Sequence, residues 1–302
     1  MRSPLYNLST FKAGYAVAQM LPRPIAHRIA DGLAWWTLKT APECRTVMRE
    51  NLAVVTGCGG AALDALVKSN VSHFCRMLAD YFLCAGTRTE RAEELVTSWA
   101  GLEHLDAAHA RGKGTILVTG HLGHWELGGL LLALQGRPMT VVTLPEPSPE
   151  LTQWREACRR QLGVKTIAVG PGHDFAFVEM LRTLRNNGCL AMLVDRPYSG
   201  TGQPVEQFGR ETQYSTAATM LAHHTGAAIV PAFVLRNDEG KYCATAHPAV
   251  ELVVASEMRD VLPQNTQRIA DVFASLIRKH PEQWYNYVPL FNPISTAADT
   301  SV

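Results

Sequence analysis

Six short apolar runs recur between Thr115 and His247: TILVT, MTVVTL, VKTIAV, CLAMLV, AAIVPAFVL and KYCATAH. They are rich in Val, Ile and Thr and too short for helices of ordinary length. The mixed segments between them are long enough for helical crossovers, so the runs suit buried strands. The expected fold class is therefore α/β: a central mixed, largely parallel sheet flanked by helices, with an N-terminal helical region.

That helical region follows from the first hundred residues, which punctuation at LPRP, APE and TGCGGAA divides into segments. After Leu5, the residues Leu8, Phe11, Tyr15 and Met20 recur at near-helical spacing. Ile25, Ile29, Leu33 and Trp36 do so again, which predicts two amphipathic helices. A last helix is expected after Pro263, through Ile269, Val272, Phe273, Leu276 and Ile277, ending before HPEQWYNY. No repeat or long linker interrupts the 302 residues. They read as one domain, with a helical region over 1–100, an α/β core over 101–262 and a C-terminal helix and tail over 263–302.

Composition narrows the partners. The chain is 47% hydrophobic and 18% charged, ample for a large core. A formal net charge of +1, with Lys and Arg scattered, gives no electrostatic reason to bind nucleic acid. Seven widely spaced cysteines without a C-x-x-C pair fit reduced thiols. No run approaches the roughly 18 apolar residues of a membrane span, and the polar-punctuated start makes a poor signal peptide. A cytoplasmic location is expected.

The stretch VTGHLGHWELGG, Val118 to Gly129, carries the chemistry. TILVT is a strand, Gly120 turns the chain, and HWELGGLLLALQ reads as the next helix. His121 then ends a strand, where open α/β sheets place their ligand sites. Residues five apart on an ideal helix differ by roughly 140°, so His121 and Glu126 meet only if His121 lies in the loop and Glu126 in the first turn. There a carboxylate could orient one imidazole nitrogen while the other accepts a proton. A nearby helix N-terminus disfavours imidazolium. Gly120 and Gly123 would let backbone N–H groups approach a developing oxyanion. Two other readings use the same residues: His121, His124 and Glu126 as part of a zinc site, though without the helical H-E-x-x-H pattern, or histidines satisfied by backbone at a helix entry. GPGHD from Gly170 fits an anion-binding nest or a turn with an Asp cap. GTGQP is too short for a phosphate loop, and the lack of G-x-S-x-G disfavours a serine hydrolase.

TGHLGHWELGG, WREACRRQLG, LVDRPYSGTGQPVEQFGRE, LAHHTGAAIVPAFVLR and HPEQWYNY occur in that order. Together they resemble the lysophospholipid acyltransferase superfamily, and within it the bacterial lipid A late acyltransferases and the phosphatidylinositol mannoside acyltransferases. The likeness runs from about Leu33 to Tyr287; a bare H-x4-E is a weak signal, five ordered blocks a strong one. The resemblance implies transfer of a fatty acyl chain from an acyl-carrier protein or CoA thioester to a hydroxyl or amine of a lipid or glycolipid acceptor, with no metal, cofactor or covalent enzyme intermediate. It makes His121 the base and Glu126 a supporting member of the motif. Asp195 matches an acidic position that pairs with the histidine in some relatives, so which carboxylate holds the imidazole stays open. Arg196 and Arg160 are implied near the donor or phosphate groups, and Gly123 and Trp125 as substrate-binding positions. Arg155, Arg159 and Arg160 also read as the solvated side of a helix, and Asp195 with Arg196 as a surface salt bridge. A non-catalytic lipid-binding or scaffold protein of the same fold is the alternative.

Relatives acting on lipid A tend to carry basic residues after P-x-Q-W and an N-terminal membrane span. This chain continues YNYVPLFNPISTAADTSV and shows no span, so the implied acceptor lies nearer the other glycolipids. A peripheral position on the inner face of the cell membrane is implied. Leu5, Leu8, Phe11, Tyr15 and Met20 are predicted to touch lipid there, bordered by Arg2, Lys12, Arg23 and Arg28.

Overall fold

The computed structural model describes residues 7–84, 94–198 and 202–291. A seven-stranded mixed sheet forms its centre. In chain order the strands are β1 (Val96–Ala100), β2 (Thr115–Thr119), β3 (Met139–Thr143), β4 (Val164–Ala168) and β5 (Cys189–Leu193). A separate hairpin, β6 (Gln203–Gln207) and β7 (Arg210–Tyr214), precedes β8 (Ala228–Arg236) and β9 (Tyr242–Ala246). The spatial order is β1-β9-β8-β2-β5-β3-β4, and every neighbouring pair is parallel except β8 with β9. All six apolar runs are strands of this sheet.

The helices are α1 (Leu8–Met20), α2 (Arg23–Thr40), α3 (Pro42–Thr56), α4 (Gly60–Cys84), α5 (Leu102–Ala110), α6 (Trp125–Leu134), α7 (Pro149–Gln161), α8 (Ala176–Arg185), α9 (Ala217–Thr225) and α10 (Met258–Lys279). Alternate strand residues face opposite sides. Ile116 and Val118 of β2 enter the main core with Leu190, Met192, Ile229 and Phe273. Leu117, between them, joins Leu105, Leu132, Met139 and Ala246 in a smaller cluster.

Several elements differ from the sequence expectation. β1 and the β6–β7 hairpin carry too few apolar residues to stand out. The hairpin turns at Phe208 and Gly209, both with positive φ (56° and 72°), as a two-residue turn of that hand requires. α10 begins at Met258 and keeps Pro263 inside its second turn rather than before its start. The two N-terminal amphipathic helices exist, but the face of α1 predicted to touch lipid is partly buried. Phe11 of α1 is buried edge-on against Phe82 and Trp154, with ring centroids 5.5 and 6.4 Å away, and Tyr15 packs on Trp154. Of the described residues in the predicted lipid-facing row, Met20 is exposed, while Leu5 and Arg2 lie outside the described residues. In α2 it is Ala26, Ala30 and Ala34 that are buried, their small side chains letting the helix lie close to α4. Ile25, Ile29, Leu33, Trp35 and Trp36 are left in solvent. Among the described residues no single helix is long and apolar enough to cross a membrane.

Arg23, expected at a lipid border, instead anchors α2. Its Nε and Nη2 each donate to the fully buried carboxylate of Asp80 on α4 at 2.8 Å. His27 Nε2 and the Tyr242 hydroxyl lie 2.8 Å from the same group. Burial would raise the Asp80 carboxyl, but Arg23 and His27 hold it well below the usual range.

His124 sits at the entry to α6 as its N-cap, its Nδ1 accepting the Leu127 N–H at 3.3 Å and its ring edge-on to Tyr242. The bland reading of one motif histidine is thus its actual role. Burial pushes its pKa down to about 4, although Asp80 and Glu126 pull the other way. Below about pH 6.5 the unfolded chain therefore takes up a proton that the folded ring refuses, and stability falls with pH until the folded ring itself titrates. Asn, also a good N-cap, does not titrate. His124→Asn should show a smaller loss of unfolding free energy between pH 7 and about pH 4.5 than the parent, by roughly 2–3 kcal/mol. Urea melts at the two pH values measure this; equal losses would refute the assignment.

Candidate active site

His121 stands just past the end of β2, in the loop before α6. Gly120 precedes it because nothing larger fits: a Cβ there would lie 2.9 Å from Phe273 Cε1 and 3.1 Å from Asp195 Cγ. Gly123 follows in the left-handed region (φ 68°), where a Cβ would fall 2.2 Å from the Val234 carbonyl oxygen. The C-terminal segment after α10 holds this loop from outside. Gly123 N–H donates to the Gln283 carbonyl at 2.9 Å, and Tyr285 N–H to the His121 carbonyl at 2.6 Å.

Of the two candidate carboxylates, Asp195 meets the imidazole. Its Oδ1 lies 2.8 Å from His121 Nδ1, and its Oδ2 accepts the His121 backbone N–H at 2.9 Å and Asn286 Nδ2 at 3.0 Å. Burial alone would raise this carboxyl, but His121, Arg196 and Asn286 hold it below the usual range, so it is ionised. A carboxylate only accepts, so Nδ1 carries the hydrogen. On the other edge of the ring, an Arg196 guanidinium nitrogen (Nη2) is hydrogen-bonded to Nε2. A guanidinium only donates, so Nε2 presents its lone pair. Both contacts specify the same tautomer, the one a proton acceptor at Nε2 needs.

Glu126 does not turn back to His121. It accepts from Arg155 Nη2 at 2.5 Å and from Arg159 Nη2 at 2.8 Å, and Arg155 also pairs with Glu146. Burial would raise Glu126, but Arg159 and Arg155 bring it down to about 2. The arginine row divides by helical geometry: 155 and 159 are one turn apart and face inward, whereas Arg160 is exposed. The solvated-side reading therefore fits Arg160, whereas Arg155 and Arg159 are engaged by Glu126.

Trp125 lies edge-on to His121, ring centroids 5.4 Å apart. The N–H of Gly123 is taken by Gln283, that of His121 by Asp195, and that of His124 by the Val234 carbonyl. The Gly123 N–H is thus engaged, which corrects the oxyanion role read for that residue. His121, His124 and Glu126 point to three different partners and do not converge as a ligand set, and no such cluster exists among the described residues. Asn286 and Gln283 were not singled out from sequence. An Asn inside the aromatic run WYNY is the signal that could have found the first.

Between α6 and the sheet lies a cavity of about 410 Å³. His121, Trp125, Glu126, Arg155 and Arg159 line it together with Gly128 and Gly129 of α6. Beyond them the walls are apolar, with Leu105, Leu117, Leu132, Met139 and Ala246.

Comparison with known proteins finds relatives over most of the chain. A phosphatidylinositol mannoside acyltransferase of Mycobacterium tuberculosis is 28% identical over 282 residues, 92% of this chain and 86% of the relative. One from Mycolicibacterium smegmatis is 25% identical over 281 residues, 92% and 89% of the two chains. A lipid A biosynthesis acyltransferase of Haemophilus influenzae is 28% identical over 212 residues, 65% and 59% of the two. The family model for bacterial lipid A biosynthesis acyltransferases matches residues 4–292, nearly the whole chain, and the protein belongs to that family of lipid and glycolipid acyltransferases.

Proposed function

We propose that this acyltransferase moves a fatty acyl group from an acyl-carrier protein or CoA thioester to a hydroxyl or amine of a phosphorylated glycolipid, with His121 as general base. The observation that carries the proposal is an imidazole locked by Asp195 in the proton-accepting tautomer while lining an apolar cavity. The acceptor O–H or N–H gives its proton to Nε2 as its heteroatom attacks the thioester carbonyl. The attack forms a tetrahedral oxyanion. The C–S bond then breaks, and the imidazolium returns its proton to the leaving thiolate. No cofactor besides the donor takes part. The acceptor class is supported by the relatives' names, phosphatidylinositol mannoside and lipid A acyltransferase.

The acyl chain occupies the apolar cavity, and adjacent glycines on α6 leave it open. A Cβ on Gly129 would make ordinary contact, 3.6 Å from Met139 Sδ, so Gly129→Leu keeps the helix and projects its branch into the space. Each methylene then excluded forfeits about 0.8 kcal/mol, roughly fourfold in preference. With mixed donors, the variant should favour shorter chains by product mass spectrometry; an unchanged distribution removes the chain from this cavity.

We place the enzyme peripherally on the inner face of the cell membrane, with α2 rather than α1 as the contact. Its exposed face combines Ile25, Ile29, Leu33, Trp35 and Trp36 with Arg28 and Lys39, and the helix's acidic residue, Asp31, is paired with Arg76 of α4. Such a face sinks shallowly among headgroups, with tryptophans at the interface and cations on anionic lipid. Ile29→Glu with Trp36→Glu should leave the fold intact and abolish the salt-sensitive sedimentation of the full chain with anionic vesicles. Undiminished binding by the folded variant would place the contact elsewhere.

The dyad is tested by turnover. His121→Ala should abolish transfer with little change in melting temperature. Asp195→Asn should lower kcat by about 10²-fold or more, since the base loses its orientation. Glu126→Gln should keep a larger share of kcat but melt earlier, because the buried Arg159 guanidinium loses its counter-charge and Arg155 keeps only Glu146. An active His121→Ala protein would sink the mechanism, and near-parent rates in Asp195→Asn would remove Asp195 from it.

A further inference from the structure

The lone pair on His121 Nε2 that must receive the acceptor's proton is occupied by Arg196. A general base acts on a hydroxyl within about 2.6–3.2 Å, and the guanidinium fills that position. Two donors cannot hold one lone pair together. We propose that Arg196 caps the base in the free enzyme, and that a phosphate group of the incoming acceptor draws the cap away; the inference rests on His121 being the base.

The surroundings of Arg196 say what releases it. Among the described residues no carboxylate forms an ion pair with its guanidinium, and Asp195 turns both oxygens to other donors. Burial lowers its pKa, with Asp195 opposing from a distance. A neutral imidazole nitrogen is a modest partner for a guanidinium, whose planar fork matches phosphate in a two-pronged contact. The bond to imidazole carries charge on the donor alone, whereas phosphate adds an opposite charge and a second prong, so exchanging imidazole for phosphate is favourable. Position assigns the phosphate to the acceptor. Arg155 and Arg159 line the acyl cavity and are paired with Glu126, whereas Arg196 is not among the residues lining that cavity and meets the ring at Nε2, the atom the acceptor must reach. Uncapping on acceptor arrival keeps water from being activated against a bound thioester.

Carbethoxylation by diethyl pyrocarbonate, which attacks an imidazole lone pair, reads the cap without turnover. The full chain is labelled in phosphate-free buffer and His121 is followed by mass spectrometry, with the exposed His109 and His173 as internal references. His121 should label more slowly in the parent than in Arg196→Met by about tenfold or more, the worth of one charge-assisted hydrogen bond. Inorganic phosphate at constant ionic strength should speed His121 labelling in the parent and leave Arg196→Met unchanged. Glycerophosphoinositol, a headgroup without its chains, should act likewise, and coenzyme A should not. Equal rates in parent and variant overturn the cap, as does a parent indifferent to phosphate, an arm that needs no variant to fold. Acceleration by coenzyme A but not by glycerophosphoinositol overturns the acceptor's part. Failure of the base itself would show separately, as turnover by His121→Ala.

Discussion

A carboxylate almost wholly removed from water stands at the centre of this molecule, and much else is arranged to satisfy it. Stripping a carboxylate of water costs several kcal/mol unless its oxygens find donors. Asp195 finds three, from the His121 backbone, the His121 ring and Asn286. They belong to the loop after β2 and to the segment after α10, so one side chain fixes three stretches of chain against each other. Gly120 is a consequence: the approach that makes these bonds leaves no room for a Cβ.

The C-terminal segment could not hold the loop alone. Leu122 and Trp284 form a single antiparallel bridge, too little to order two loops. Buried asparagines on the N-terminal helices complete the clamp. Asn70 of α4 donates to the Trp284 carbonyl at 2.8 Å, and Asn51 of α3 to those of Asn286 and Val288 at 2.8 Å. Gln283 joins the end of β8, bonding both the N–H and the carbonyl of Arg236. The helical region before the sheet is therefore part of the machinery that positions His121, although none of its residues touches that ring.

What could be read from the chain and what could not divide along physical lines. The six strands were legible because burial on both faces writes itself as continuous apolar runs. The hairpin was not: Gln207 and Thr212 face inward and satisfy themselves by hydrogen bonding and packing, so no apolar period marks it. His121 could be placed at a strand's end from TILVT and Gly120. Spacing alone could not place its partner: it admitted Glu126 at five residues and was silent about Asp195, which only the family resemblance offered and which arrives through the β2–β5 pairing. α2 misled most. Period alone shows that Ile25, Ile29, Leu33 and Trp36 share a face, and says nothing of which face the rest of the protein covers. There the smaller alanine face wins, because it admits α4 closely and brings Arg23 to Asp80.

The separation of the two motif carboxylates has its own electrostatic logic. Had Glu126 faced the imidazole together with Asp195, two negative charges would have stabilised imidazolium and hindered return of the proton to a leaving group. One carboxylate orients the ring; a second would trap the proton. Glu126 lies instead in a cluster with Glu146, Arg155 and Arg159, where two charges of each sign cancel. A neutral, rigid cluster lets polar groups border an apolar cavity without projecting a net field along it. Arg196 is not matched in this way: among the described residues no carboxylate forms an ion pair with its guanidinium, so its hydrogen bond to Nε2 is one that an anion can replace.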